Sequence, residues 1–344
     1  MKKRNAATLA AAIALLAGGA HAQSSVQLMG TLDAFVGHLK APGDADGRSV
    51  VNSGGMTTSW YGFKGTEDLG GGLKASFALT AFLQVDTGTP GRFTGDPYFS
   101  RDANVSLSSA TLGTLTAGRA LAPNFLPTIL FNPFGDSFTF SPLVLHNNIS
   151  IFNTTGWTAS VPADTGWSNE LMYTSPSFGG LTANLHYQLG EQAGNSGVNN
   201  YGLNLLYFQG PFAATAFYEH DDLSNPVPAR FAGNDTKTDW MLGASYDFTA
   251  VKLFGTYGKA HSDVLDESDK TWSLGASAPV GPGTVMLAYA DSKVDVIDTS
   301  RKTVSLGYDY FLSKSTDLYA VVMHDKVSGF DSATSFGAGI RKRF

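Results

Sequence analysis

One stretch constrains this chain more than any other: MTTSWYGFKGTEDLGGGLKASFALTAF, residues 56–82. Two runs alternate apolar with small or polar side chains, and an acidic, glycine-rich turn joins them. Period two places alternate residues on opposite faces of a strand, so the stretch predicts an antiparallel hairpin with one apolar and one polar face. What the apolar face meets decides the class of molecule. A protein core would make this a soluble sandwich, and lipid would make it a membrane barrel whose function lies in its hollow.

The same alternation recurs along the chain. In SVQLMGTLDAFVG, Val26, Leu28, Gly30, Leu32, Ala34 and Val36 share one face, and Gln27, Met29, Thr31, Asp33 and Phe35 share the other. Such runs are longer than the usual globular strand of about 5–6 residues and suit a tilted membrane strand of about 9–11 residues with rims. The connections alternate in length. Short ones fall at 66–72, 109–113, 175–180, 209–211, 247–250, 280–283 and 311–315. Longer polar ones fall at about 39–52, 87–97, 120–166, 190–198, 221–235, 262–268, 293–298 and 325–331. Seven turns and eight loops separate sixteen strands, the asymmetry of a transmembrane β-barrel with short turns at one end and long loops at the other. Closure leaves no sheet edge, which lipid requires.

Targeting and composition agree. Lys2, Lys3 and Arg4 precede the apolar run of residues 6–17, and Ala20–Ala22 places small residues before Gln23, so residues 1–22 read as a secretory signal peptide and 23–344 as the barrel. Losing three positive charges takes the formal −6 to −9 in the mature chain, a poor balance for a nucleic-acid partner. There are no cysteines, which removes disulfide scaffolds and thiolate metal sites. No apolar window of about 18 residues follows the signal, so no transmembrane helix is predicted. Only 15% of residues are charged, while glycine reaches 39 and phenylalanine 23, the composition of closely packed strands with aromatic girdles. The expected fold is all-β, an antiparallel transmembrane barrel.

Several motifs then resemble the general porins of Gram-negative outer membranes. Ser59-Trp60-Tyr61-Gly62-Phe63-Lys64-Gly65-Thr66-Glu67-Asp68-Leu69-Gly70 is similar to a family motif near the mature start. SRDANVSL at 100–107, LGTLTAGR at 112–119, NPFGD at 132–136, YTSPSFGGL at 173–181 and the terminal IRKRF follow in family order, ending on Phe344. The resemblance implies a sixteen-stranded barrel, usually a homotrimer in outer-membrane lipid and lipopolysaccharide, whose third external loop folds inward to make a constriction. The 120–166 connection, much the longest, fits that loop. The implied activity is passive diffusion of small hydrophilic solutes and ions.

The resemblance also implies constriction residues. Arg101 and Arg119 match wall arginines, and Asp136 matches an acidic loop position. Trp60 stands where a wall arginine is usual, Thr80 where a glutamate is usual, and Gly166 or Trp167 where another arginine is common. Rings of charge set pore selectivity, so these exchanges predict a weaker transverse field. With Phe131, Phe134, Phe138 and Phe140 on the loop, Trp60 reads either as a stacking plane for uncharged or aromatic solutes or as packing that supports the loop. If Arg101 faces the lumen, alternation turns Asp102, Asn104, Ser106 and Ser108 outward, where a neighbouring subunit would have to cover them.

Other candidates read as structural. Glu219-His220-Asp221-Asp222 alternate between faces and cannot converge on one metal, so they read as a solvated rim. Asp263, Asp266, Glu267 and Asp269 read as a solvated acidic loop. No nucleophile elbow, P-loop or dinucleotide fingerprint is present, and no cofactor is implied. The rival readings are a barrel enzyme with a convergent His/Asp/Ser set on its rim, and an adhesin or structural barrel with a packed lumen.

Overall fold

The structure, a computed structural model, describes residues 25–93, 95–148, 164–194, 197–223, 237–263, 266–294 and 298–344. The proposed signal peptide and part of the long loop lie outside these residues. Sixteen strands form one antiparallel sheet: β1 Ser25–Leu39; β2 in two segments, Arg48–Ser53 and Trp60–Gly70; β3 Leu73–Gln84; β4 Asp102–Ser109; β5 Gly113–Leu121; β6 Gly166–Thr174; β7 Leu181–Leu189; and β8 Asn199–Gln209. Then come β9 Phe212–Asp221; β10 Lys237–Asp247; β11 Lys252–Ser262; β12 Glu267–Val280; β13 Gly283–Val294; β14 Thr299–Ser313; β15 Thr316–Val327; and β16 Ala333–Arg343. A two-residue ladder, Thr89–Pro90, is appended to the end of β3. Each strand pairs with its neighbours in sequence, and β16 pairs with β1 from Thr31↔Arg343 to His38↔Phe336, so the sheet closes.

The seam is finished by the last residue. Gly30 N–H donates to the Phe344 carbonyl at 3.0 Å, and Phe344 N–H returns the bond at 3.1 Å. Gly30 has to be glycine here, because a Cβ would lie 2.6 Å from the Trp60 carbonyl and 2.7 Å from the Phe344 ring. At the opposite kind of position, Gly70, Gly71 and Gly72 all take positive φ in the β2–β3 turn, a conformation that side chains resist.

The predicted faces hold. Val26, Leu28, Leu242, Leu274, Leu306, Phe336 and Ile340 are exposed on the outer face, and Asp33, Phe35, Thr256, Ser273, Thr303 and Ser305 are buried on the inner one. A lipid-facing band needs apolar side chains outside, and the interior is left to polar and small ones.

The connection after β5 carries two short helices, α1 Phe125–Leu130 and α2 Pro142–Asn148. Its residues pack on the inner face, against a row of glycines on alternate strands. A Cβ on Gly202 of β8 would meet Pro123 at 2.6 Å, and one on Gly275 of β12 would meet Pro133 at 2.6 Å. On Gly307 of β14 and Gly337 of β16, it would stand 3.0 Å from Phe134 and 3.0 Å from Phe140 respectively; on Gly243 of β10, 3.5 Å from Phe131. Every one of these glycines is inward by the strand's alternation. Their missing side chains leave the room the segment occupies.

Candidate functional site

Residues 122–148 are fixed by polar contacts as well as by the glycine row. The Ser305 hydroxyl donates to the Phe140 carbonyl at 2.7 Å, Arg301 donates to the Leu145 carbonyl at 3.3 Å, and the Asn204 amide donates to the Pro123 carbonyl at 3.0 Å. Buried His146 sits between the Ser292 and Thr303 hydroxyls at 2.7 and 2.8 Å. Thr303 already donates to Asp325 at 2.6 Å, so it accepts from Nε2–H of the imidazole.

A second protrusion meets this segment. The break in β2 over residues 54–59 turns inward because the Asp33 carboxylate on β1 accepts the backbone N–H groups of Gly55, Met56 and Thr57 at 3.1, 2.8 and 2.9 Å. The Tyr319 hydroxyl donates to the same carboxylate. The protrusion and the long connection then join. Ser137 donates to the Gly55 carbonyl at 2.6 Å, Thr139 to the Gly54 carbonyl at 2.8 Å, and Thr57 to Asp136 at 3.0 Å. Arg341 completes the seam, donating to Thr57 at 3.0 Å and pairing with Asp309 and Asp317 at 2.8 and 2.9 Å. Half-buried Asp136 has its carboxyl pushed up by burial, against the Thr57 hydrogen bond and the Arg341 charge. This seam was invisible in the sequence, since Asp33, Thr57, Asp136 and Arg341 come from four distant segments.

Trp60 opens the second segment of β2, opposite Phe82 in register. One face of its ring is covered: the Arg101 guanidinium carbon lies 4.0 Å from the ring centroid. Arg101 also pairs with Asp102 at 2.6 Å, and the Thr80 hydroxyl donates to the same carboxylate oxygen at 2.6 Å. Thr80 is fully buried in this contact. Arg101 precedes β4, so its direction does not propagate by alternation. Asp102 and Asn104 therefore face inward, while Val105 and Leu107 are the exposed pair. The expected outward polar face on this strand is corrected, and with it the local case for a covering subunit.

Arg119 is 6% exposed and spends all five N–H donors: on the Ser100 and Gly166 carbonyls, the Ser168 hydroxyl and both oxygens of Asp164. Asp164 also receives Arg92 at 3.0 Å, and Arg92 pairs with Asp96 at 3.0 Å. This arginine expected at the constriction thus anchors the returning end of the long connection to the one before it. Trp167 is buried edge-on against His186, whose ring meets Glu170 at 2.6 Å. Phe134 is buried among Phe35, Met286 and Val321. Of the four loop phenylalanines, Phe131, Phe134 and Phe140 face the wall, and only Phe138 stays half exposed.

Alternation does hold at Glu219–Asp222, but the solvated rim does not. Glu219 and Asp221 are buried on the inner face and both grip Lys237, at 2.9 and 3.0 Å, while His220 and Asp222 pair on the other face at 3.3 Å. Glu267 and Asp269 are likewise buried at the start of β12, so of the four acidic residues only Asp263 and Asp266 are solvated. Among the described residues no three carboxylates, histidines or cysteines gather as a metal site. Among the inner-wall cations overlooked is Lys64, which shares the face of Trp60 and lines a cavity of about 270 Å³ with Asp102, Asn104 and Thr116. Its parity with Trp60 was the signal.

The description "Gram-negative porin" belongs to a family whose model matches residues 6–329. The chain belongs to the Gram-negative porin family. Over 254 residues it is 33% identical to outer membrane porin protein 32 of Delftia acidovorans, covering 72% of this chain and 67% of the relative. Over 277 residues it is 29% identical to an outer membrane porin protein of Bordetella pertussis, covering 73% and 68%. Among solved structures, the anion-selective porin from Comamonas acidovorans superposes with a TM-score of 0.78 at 28% identity, over 94% of this chain and 100% of that one. This porin is an outer-membrane channel for passive diffusion.

Proposed function

We propose that this porin passes small uncharged and weakly polar solutes, aromatic ones included, in preference to strongly charged ones. The observation that carries the reading is the pairing of the wall arginines. Arg101 lies on Asp102, Arg119 on Asp164, Arg301 on Asp325 and Arg341 on Asp309 and Asp317. Paired charges project little field into the pore, whereas selectivity rests on uncompensated rings. Residues 122–148, packed on the inner wall, narrow the passage. Lys64 supplies a mild attraction for anions, which the paired Arg101 and Arg119 do not. The relative described as anion-selective provides the contrast. Reversal potentials across a salt gradient should lie near zero and lean toward anions. Strong selectivity for either ion overturns the reading.

We further propose that residues 1–22 are removed on export and that the mature chain works as a homotrimer without covalent chemistry. Amino-terminal sequencing of membrane-extracted protein, and native mass spectrometry in detergent, test the two parts.

A further inference from the structure

We propose that the inner mouth holds a binding subsite for neutral aryl compounds, made where two connections meet the β2 protrusion. A cavity of about 250 Å³ lies beside the ends of β2's first segment and β3, and Phe93 and Phe138 supply its two aromatic walls. An engineered cavity of about 150 Å³ is enough to hold benzene, so the space fits one substituted ring. Phe93 comes from the connection after β3, and Phe138 from the long connection, where it stacks on Phe125 with centroids 6.2 Å apart.

The charge in this cavity is already spent. Arg92 lines it, but its guanidinium is held by Asp96 and Asp164, and its central carbon lies 4.8 Å from the Phe82 centroid and 5.4 Å from that of Phe93. The arginine therefore backs the aromatic wall and offers an anion no free charge. Among the described residues no carboxylate lines the cavity. What remains polar is neutral. The Gln84 amide gives its N–H to the Arg92 carbonyl at 3.1 Å, and its own carbonyl oxygen has no partner among the described residues. Asn52 uses its oxygen on the Ser53 N–H, which leaves its amide nitrogen for a ligand. Two ring faces with a neutral acceptor and a neutral donor describe a ligand with one aromatic ring and hydroxyl or amide substituents. A carboxylate on the ring gains nothing here.

This subsite deepens the preference for uncharged solutes and rests on that reading. The test is current blockade of single channels in planar bilayers by phenyl β-glucoside and cyclohexyl β-glucoside, two neutral, membrane-impermeant probes of similar size. The phenyl compound should block at a concentration about two- to tenfold lower, the range that aromatic pairing supplies. Phe93→Leu and Phe138→Leu keep bulk while removing the ring, and each should shrink that ratio toward one, with each variant's blockade normalised to its own unblocked current. Equal blockade by both probes in the unaltered porin overturns the subsite, as does a ratio that survives both substitutions. The two readings fail separately. Strong ion selectivity with a retained phenyl preference removes the uncharged-solute reading alone, and weak ion selectivity without the phenyl preference removes the subsite alone.

Discussion

Asp102 receives the Arg101 guanidinium and the Thr80 hydroxyl on one oxygen, so a single carboxylate sets whether this corner of the wall is neutral. Asp102→Asn leaves Arg101 uncompensated above Trp60 and should move the reversal potential toward anions, while Arg101→Gln should move it toward cations. Because the pair is partly solvated, either change should alter stability by no more than about 1 kcal/mol. Equal reversal potentials in both variants would mean that Arg101 and Asp102 do not face permeating ions. Trp60 reads as support more than as an open plane, since Arg101 occupies one of its faces. Arg119 is a different case. Arg119→Ala removes five hydrogen bonds and leaves Asp164 with Arg92 as its remaining ion-pair partner, and stripping buried acceptors of their donors costs about 1–3 kcal/mol. The barrel should lose heat resistance on unheated gels, and an unaltered melting temperature would contradict the anchoring role.

At the level of elements, the long connection is held by shape on one side and by ion pairs at its base. Gly307→Val puts side-chain atoms where Phe134 sits, and overpacking of this kind costs about 1–3 kcal/mol. The segment should lift from the wall of β14, seen as altered single-channel conductance with more current noise. Quiet channels of unchanged conductance would show that Phe134 does not hold the segment. At the base, burial pushes the Asp96 carboxyl up, but the Arg92 guanidinium overcomes it and holds the carboxyl below its ordinary range. With the folded value depressed, the contribution of this pair is fully present above the unfolded value of about 3.9 and is lost as pH falls through the lower folded one. Protease resistance of the connection after β3 should therefore persist at pH 5 and fail only in stronger acid, whereas loss of protection already near pH 6 would rule the pair out as its fastener.

For the whole molecule, closure depends on the last strand, where Phe344 exchanges two backbone hydrogen bonds with Gly30. Gly30→Leu would collide with the Trp60 carbonyl and the Phe344 ring, so folded, heat-modifiable barrel should nearly vanish from outer-membrane fractions. Normal yield would mean that the seam tolerates bulk. Most strand positions, the seven tight turns, the two faces and the even count were legible in the amino-acid order, because period-two alternation and turn chemistry are local properties of a few adjacent residues. The first segment of β2, Arg48–Ser53, was not, since it falls largely inside the connection expected at about 39–52. The charge roles were not. Arg119 and Asp164 stand 45 positions apart, and Thr57 and Arg341 stand 284 apart, so only the closed barrel decides which charges neutralise one another. Arg101 misled in a subtler way: it precedes β4, where alternation does not yet govern direction. The inner glycines of β8, β10, β12, β14 and β16 stood in plain view, but each reads alone as an ordinary strand residue. They become a seat for the long connection only when curvature lines them up across half the wall. By itself the sequence determined a lipid-facing, sixteen-stranded closure, since each strand had to bury its backbone hydrogen bonds and expose its apolar side chains. Tertiary structure alone decided what lies in the hollow, since packing and ion pairing there join segments that share no local pattern.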